Sequence, residues 1–242
     1  MSTYDDIAPY YDRLHGDRRV SIRYIKYLLE QYHPQAQNIL SVGCGTGKVT
    51  KALSKQYKIT GTDASEAMLD IAKKRLPKQD FYHQDLQDLS VDDTFDAVIC
   101  LFGVLNHILQ FEEWEQFFAH VKQHMQPNGV FIFDILTQTC LYNLLLNSPT
   151  QMNIGNLQAD INITHAEDGQ YDSVFDWQVK GRKLRWLRRA KPLFNSHVQH
   201  TSFAIEQIQT ALQKHFANLE IIDPENNDIS ESSELLFFVA YD

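Results

Sequence analysis

Cysteine is scarce in this chain: Cys44, Cys100 and Cys140 are the only three among 242 residues, odd in number and far apart. A disulfide framework needs paired thiols and a zinc site needs clustered ones, so neither is expected; the three read as reduced thiols in or near strands and loops. Basic charge is short as well, with 22 Lys and Arg against 31 Asp and Glu and a formal net charge of −9. Nonspecific binding to nucleic acid or to an anionic membrane surface requires a basic field, so neither is expected as a partner, and a small-molecule substrate is. Nothing approaches the length of a membrane span, and the opening MSTYDDIAPYYDRL has neither the basic start nor the apolar block of a secretory signal, so a cytoplasmic protein is expected. Internal repeats and low-complexity tracts are missing too. A homodimer is compatible with the sequence, but nothing requires it. What is present is a hydrophobic content of 43%, enough for one substantial core, read here as a single domain over residues 1–242.

The most informative stretch is NILSVGCGTGKVTKALSKQYKITGTD, residues 38–63. Ile39, Leu40 and Val42 form an apolar run suited to a strand buried on both faces, and Gly43, Gly45 and Gly47 follow at once. Glycine at 43 permits a tight turn, at 45 it lets a ligand approach the main chain, and at 47 it lets the next helix pack close to the sheet. Asp63 ends the second strand, where an acceptor-only carboxylate suits two ribose hydroxyls. A phosphate-cradling P-loop fails here, because Val42 and Val49 stand where it needs glycine and Ser or Thr. A dinucleotide dehydrogenase is weakened, because Lys48 occupies the place of its third glycine.

The remaining pattern is alternating strands and helices. Ile22, Ile25, Leu28 and Leu29 mark an N-terminal helical cap over residues 1–37 that lies on the sheet. Strands at 38–42, 58–62, 80–84, 95–101 and 129–135 then alternate with helices at 46–56, 66–75 and 111–125, with Ser65 as an N-cap and Pro127-Asn128-Gly129 as a turn. Residues 140–204 switch to polar and apolar alternation, read as an inserted antiparallel subdomain covering the substrate. A helix near 205–216 and strands at 219–223 and 234–240 close the chain. This predicts an α/β fold: a doubly wound, seven-stranded, mostly parallel Rossmann-like sheet with its last strand antiparallel, plus an antiparallel β insertion.

GCGTG followed by Asp63 resembles the first motif of the class I S-adenosylmethionine-dependent methyltransferases, and the order of the final strands is similar to theirs. The resemblance implies S-adenosyl-L-methionine as cofactor, no metal, and a methyl group moved by in-line displacement to a small-molecule acceptor, an amine nitrogen. It places Gly43, Gly45, Asp63 and Ala64 around the ribose and loop, Asp85 at the adenine amino group, and Leu86 and Met68 against the base. The stretch YDDIAPYYDRLHGDRR resembles, more narrowly, amino-sugar and glycine-type N-methyltransferases. That likeness sets Tyr11 beside the methyl-bearing sulfonium and Arg18 on the cofactor carboxylate, with Arg19 left open as the alternative. In CLFGVLNHI it sets Leu101 against the cofactor and Asn106 and His107 toward the substrate, so that Tyr11, Asn106 and His107 are the candidate catalytic residues. A nicotinamide-dependent oxidoreductase and a noncatalytic S-adenosylmethionine-binding protein stay open as alternatives.

Other features carry plainer readings beside sharper ones. Asp134 closes the fifth strand, where it either attracts a cationic amine or caps the next turn. His120 and His124 lie four apart on a helix but lack a third ligand, so a solvated face is expected rather than a metal. KGRKLRWLRRAK, residues 180–191, holds seven basic residues and reads as a solvated hairpin face, with a phosphate-binding lip as the alternative. His197 and His200 are expected to pair across strands.

Overall fold

The N-terminal segment forms two helices, α1 (Ala8–Leu14) and α2 (Arg19–Tyr32), in the computed structural model, which describes residues 4–165, 175–183, 192–226 and 228–242. Only α2 lies on the sheet; α1 covers the glycine loop instead. Five strands follow, β1 (Asn38–Val42), β2 (Lys58–Asp63), β3 (Asp80–His83), β4 (Phe95–Cys100) and β5 (Met125–Leu136), separated by α3 (Lys48–Leu53), α4 (Glu66–Arg75) and α5 (Phe111–Gln123). Then come α6 (Gln138–Leu146), the strands β6 (Thr150–Ile154), β7 (Leu157–His165), β8 (Phe175–Lys183) and β9 (Pro192–His200), α7 (Ile205–Leu212), β10 (Asn218–Ile222) and β11 (Leu235–Tyr241).

The main sheet runs β10-β11-β5-β4-β1-β2-β3, with β1 to β5 mutually parallel and β11 antiparallel to both neighbours. The order reverses between β1 and β4, the place where such sheets open a crevice at their carboxyl ends. Alternation along β5 sends Phe131 and Phe133 to one face and Val130 and Ile132 to the other. The first face packs on Trp114, Phe117 and Phe118 of α5 and Ile208 and Leu212 of α7; the second packs on Ile25, Leu28 and Leu29 of α2. Each of these large side chains contributes roughly 1.5–3 kcal/mol on burial, which fixes both helical layers against the sheet.

Two local expectations fail for identifiable reasons. Pro127-Asn128-Gly129 does not precede the fifth strand but lies inside it: Asn128 takes φ 62° and the β4–β5 register slips between Phe95 and Ala97, so the turn residues form a bulge. The insertion begins helically, because Thr137 caps α6 through Cys140 N–H, and Cys140 therefore sits on a helix. The antiparallel part is a separate four-stranded sheet, β6-β7-β8-β9. Ser65 does cap α4, accepting from Met68 N–H at 3.2 Å. His124 accepts from Val91 N–H and is half-buried like His120, so this pair is not a solvated face. Among the described residues no group of three His, Cys, Asp or Glu could hold a metal, and no helix is long and apolar enough to cross a membrane.

Candidate active site

The glycine loop leaves β1 through Gly43, whose φ of +64° and whose missing Cβ are both required: a Cβ would stand 2.6 Å from Val104 Cγ1. Gly45, at φ +54°, has only Tyr11 Cε1 within reach at 3.9 Å, so its main chain is open to the crevice. Gly47 serves a different neighbour from the one expected, since its absent side chain makes room for Ala72 of α4, at 3.1 Å, rather than for the sheet. Asp63 terminates β2 and ties the loop, its Oδ2 accepting from Gly45 N–H at 2.7 Å and its Oδ1 from Ser65 N–H at 2.9 Å. Burial raises the carboxyl above its usual range, against the pull of those two amides.

A cleft of about 860 Å³ opens beside this loop. Gly43, Gly45, Asp63, Ala64, Met68, Asp85 and Leu86 all line it, so the sequence-predicted nucleoside residues converge. Met68 is buried, while Asp85 stands exposed at the rim. Tyr11 closes the cleft from above, positioned by its neighbour Asp12. That carboxylate accepts from Thr46 Oγ1 at 2.7 Å and pairs with Arg75 at 2.5 Å. Burial works against the Asp12 charge, but these partners hold its carboxyl below the usual range. Asp5, accepting from Ser65 Oγ, and Arg13, donating to Ile154 O, fasten the two ends of the segment to α4 and to the second sheet.

A second cavity of about 440 Å³ continues from the cleft past Tyr4, Tyr11, Phe102 and Val198, which line both. Arg18 faces it, with its guanidinium 3.7 Å from the centre of the Phe102 ring and 5.9 Å from that of Tyr11. Arg19 instead pairs with Asp17 in solvent, its side chain 85% exposed, so of the two it is Arg18 that lines the cavity. Leu101 lines this second cavity and not the cleft. Asp134 lies at its floor, buried, and accepts from Gly103 N–H at 2.7 Å. Burial pushes its carboxyl up to about 6, with the Gly103 and Phe102 amides and then Arg18 opposing. Asp134 does not cap the turn after its own strand, which runs on to Leu136; it holds the Phe102-Gly103 turn after β4, at φ 72° and 67°, and faces the cavity.

Asn106 requires correction: it is fully buried and lines neither cavity. Its amide donates to Leu136 O and Thr201 O and accepts from Leu136 N–H, so its capacity is spent joining β5 to the end of β9. His107, in the 3-10 turn Leu105–His107, does face the cleft. Its Nδ1 lies 3.2 Å from Gln199 O, a carbonyl that only accepts, so Nδ1 carries the proton and Nε2 accepts from Tyr4 Oη at 3.0 Å. Burial lowers the His107 pKa to about 4, keeping the ring neutral, while burial raises that of Tyr4. His200 stacks on His107 with ring centres 4.2 Å apart, and the strand register pairs it with Phe175 and His197 with Gln178, not with one another. Sequence reasoning missed Tyr4, Phe102 and Gln199: Tyr4 and His107 lie 103 positions apart, and no spacing rule joins them. Most of the basic run, including Arg185 and Arg188, lies outside the described residues.

Residues 39–129 match the family model of a methyltransferase domain. A protein of Geobacillus sp. named as a methyltransferase is 33% identical over 55% of this chain and 57% of its own length. A dTDP-3-amino-3,6-dideoxy-alpha-D-glucopyranose N,N-dimethyltransferase of Streptomyces fradiae is 29% identical over 53% and 52%. The chain thus spans about half the length of these curated relatives. Among solved structures, an S-adenosylmethionine-dependent methyltransferase from Clostridium acetobutylicum superposes with a TM-score of 0.83 at 22% identity, covering 99% of each chain, a likeness of fold. Residues 39–129 thus match a methyltransferase domain, and the sheet order and glycine loop around them are similar to those of the class I S-adenosylmethionine-dependent methyltransferases.

Proposed function

We propose that this protein transfers a methyl group from S-adenosylmethionine to the nitrogen of a small-molecule amine. The observation that carries the reading is Asp63: a half-buried carboxylate at the end of β2, held by the amides of Gly45 and Ser65, on the wall of a cleft open to the Gly45 main chain. A carboxylate has about four acceptor positions, so two amides leave capacity for ribose hydroxyls. Asp85 at the rim suits the adenine amino group, and Met68 and Leu86 flank the base. Arg18 pairs with the cofactor carboxylate, and the Tyr11 ring faces the positive sulfur. The sugar-amine relative from Streptomyces fradiae supports nitrogen as the atom methylated.

The bound cofactor supplies a methyl carbon already activated for displacement. The protein's part is alignment and exclusion of water, and orientation alone supplies roughly 7–11 kcal/mol. Tyr4 donates to His107, which orients its phenol at the junction of the cleft and the second cavity, where it would help to aim the nitrogen lone pair of the amine. The neutral amine forms the N–C bond as the C–S bond breaks, the electron pair staying on sulfur. The resulting N-methylammonium gives its extra proton to water, because His107 with a pKa near 4 does not retain one at neutral pH. Calorimetric titration with S-adenosylmethionine and S-adenosylhomocysteine, with Asp63→Ala as control, tests the reading. Binding that depends on Asp63 supports it, and absence of binding to either compound overturns it.

A further inference from the structure

The second cavity is built unlike a site for a phosphorylated substrate. The second sheet turns one face toward it: Ile161, Val179 and Ser196 are register partners across β7, β8 and β9, and Val198 follows Ser196 on the same side. The opposite face is polar, as in the Asp160–Arg182 pair. Leu101, Leu136, Leu235 and Phe237 supply the facing wall from β4, β5 and β11 and the residues just beyond them. Among the described residues lining the cavity, the charged ones are Arg18 and Asp134, with His15 and His200 as the imidazoles. Arg18 lies flat on Phe102, and Asp134 acts on it electrostatically, so its charge is locally opposed. Burial keeps His200 neutral. Among the described residues, a diphosphate placed here would face a cation opposed by Asp134 and, on the reading above, engaged by the cofactor carboxylate, together with a buried carboxyl and mostly apolar walls, so its desolvation would be poorly offset.

We infer that the acceptor is an amine with an apolar, phosphate-free body seated in this second cavity, its nitrogen directed to the junction of Tyr4, Tyr11 and Phe102 with the cofactor cleft. A volume of about 440 Å³ falls within the range of small-molecule sites. Asp134 at the floor disfavours a further anion beside the cofactor carboxylate that Arg18 would hold. This inference rests on the methyl-transfer reading but differs from the sugar-nucleotide acceptor named for the Streptomyces fradiae relative.

The test is calorimetry on the full chain saturated with S-adenosylhomocysteine, using 2-phenylethylamine and cyclohexylmethylamine against UDP-glucosamine. The two apolar amines are expected to bind, and UDP-glucosamine to bind at least about tenfold more weakly. Val179→Phe and Val179→Trp each fill the cavity; each should weaken the amines about tenfold or more while S-adenosylhomocysteine binds as before, which also shows that the variant is folded. Tight UDP-glucosamine binding, no amine binding, or amine affinity unmoved by both substitutions overturns the inference with the methyl-transfer reading intact. Failure of S-adenosylhomocysteine to bind overturns both.

Discussion

Tyr4 donates its phenol to Nε2 of His107 at 3.0 Å, while Nδ1 of the same ring faces Gln199 O, so the N-terminal segment, the turn after β4 and β9 are joined in one hydrogen-bonded chain. A chain of this kind fixes where the lone pairs of the tyrosine oxygen point. Tyr4→Phe should therefore lower kcat by on the order of 10² with S-adenosylhomocysteine affinity unchanged. Because the two side chains act as a unit, Tyr4→Phe with His107→Phe should cost little more than either alone. Methyl transfer from a labelled donor measures both, and additive losses would separate the residues.

Asp63 has a double duty that divides the expected effects of its replacement. Each charged hydrogen bond to the ribose contributes about 1.5–3 kcal/mol, so Asp63→Ala should weaken S-adenosylhomocysteine by more than about tenfold. It also strands the amides of Gly45 and Ser65, so a lower unfolding temperature is expected alongside. Asp63→Asn keeps one acceptor and should recover part of the stability but little of the affinity. Calorimetry and thermal unfolding on the same samples distinguish the two losses.

The parts legible in the sequence were those carried by local pattern. Ile39, Leu40 and Val42 announce a buried strand, and the Gly43–Gly47 loop with Asp63 announces a glycine turn tied to the end of the second strand, because these residues act on neighbours in their own βαβ unit. Asn106 misled because a polar residue in a loop after a strand looks free, whereas its partners, Leu136 and Thr201, come from elements 30 and 95 positions away. Tyr4 was invisible for the same reason. Arg18 and Arg19 are chemically identical in sequence and are separated by one fact of tertiary structure, the Phe102 ring. The bulge at Asn128 was read as a turn because turns and bulges use the same residues.

Gly43 and Val104 meet where the glycine loop crosses the turn after β4. Gly43→Ala adds a Cβ 2.6 Å from Val104 Cγ1 and forces a left-handed φ on alanine. The overlap should cost about 1–3 kcal/mol and the backbone about 1 kcal/mol more. Val104→Ala in the same chain should restore the first part but not the second. Urea unfolding of the single and double variants measures the difference; equal stabilities of the two would show that the contact is not tight.

Stability should fall in acid below pH 6.5. His107 and His200 are held neutral in the fold by burial, His107 with its pKa at about 4 against 6.5 unfolded. Between those values the unfolded chain binds more protons, so each such histidine removes up to about 1.4 kcal/mol per pH unit as pH drops. Asp134 acts with the opposite sign: its carboxyl at about 6, against 3.8 unfolded, takes up a proton in the fold first, and its contribution is lost as pH rises through that window. His15, lowered to about 4, joins His107 and His200, and the three histidines outweigh the two raised carboxyls of Asp134 and Asp63, so the net slope is positive. Urea unfolding between pH 4 and 7 should show it, and His107→Asn should flatten it.

Arg18 offers the cleanest separation of the cofactor's two ends. Its guanidinium is laid over Phe102 beside Tyr11 and lines the second cavity rather than the cleft of Asp63 and Asp85, so on the proposed reading it would meet the amino-acid end and not the adenosine end. Arg18→Leu should weaken S-adenosylhomocysteine by about tenfold or more, the worth of a charge-assisted pair, while leaving 5′-methylthioadenosine, which lacks the carboxylate, unaffected. Arg19→Leu removes only an exposed pair with Asp17 and should change neither affinity. Equal losses for both ligands in Arg18→Leu would mean that the residue supports the shape of the cleft through Phe102 rather than the carboxylate. Arg18→Lys then discriminates further: it keeps the charge but not the flat stacking, so partial recovery for S-adenosylhomocysteine assigns the effect to charge.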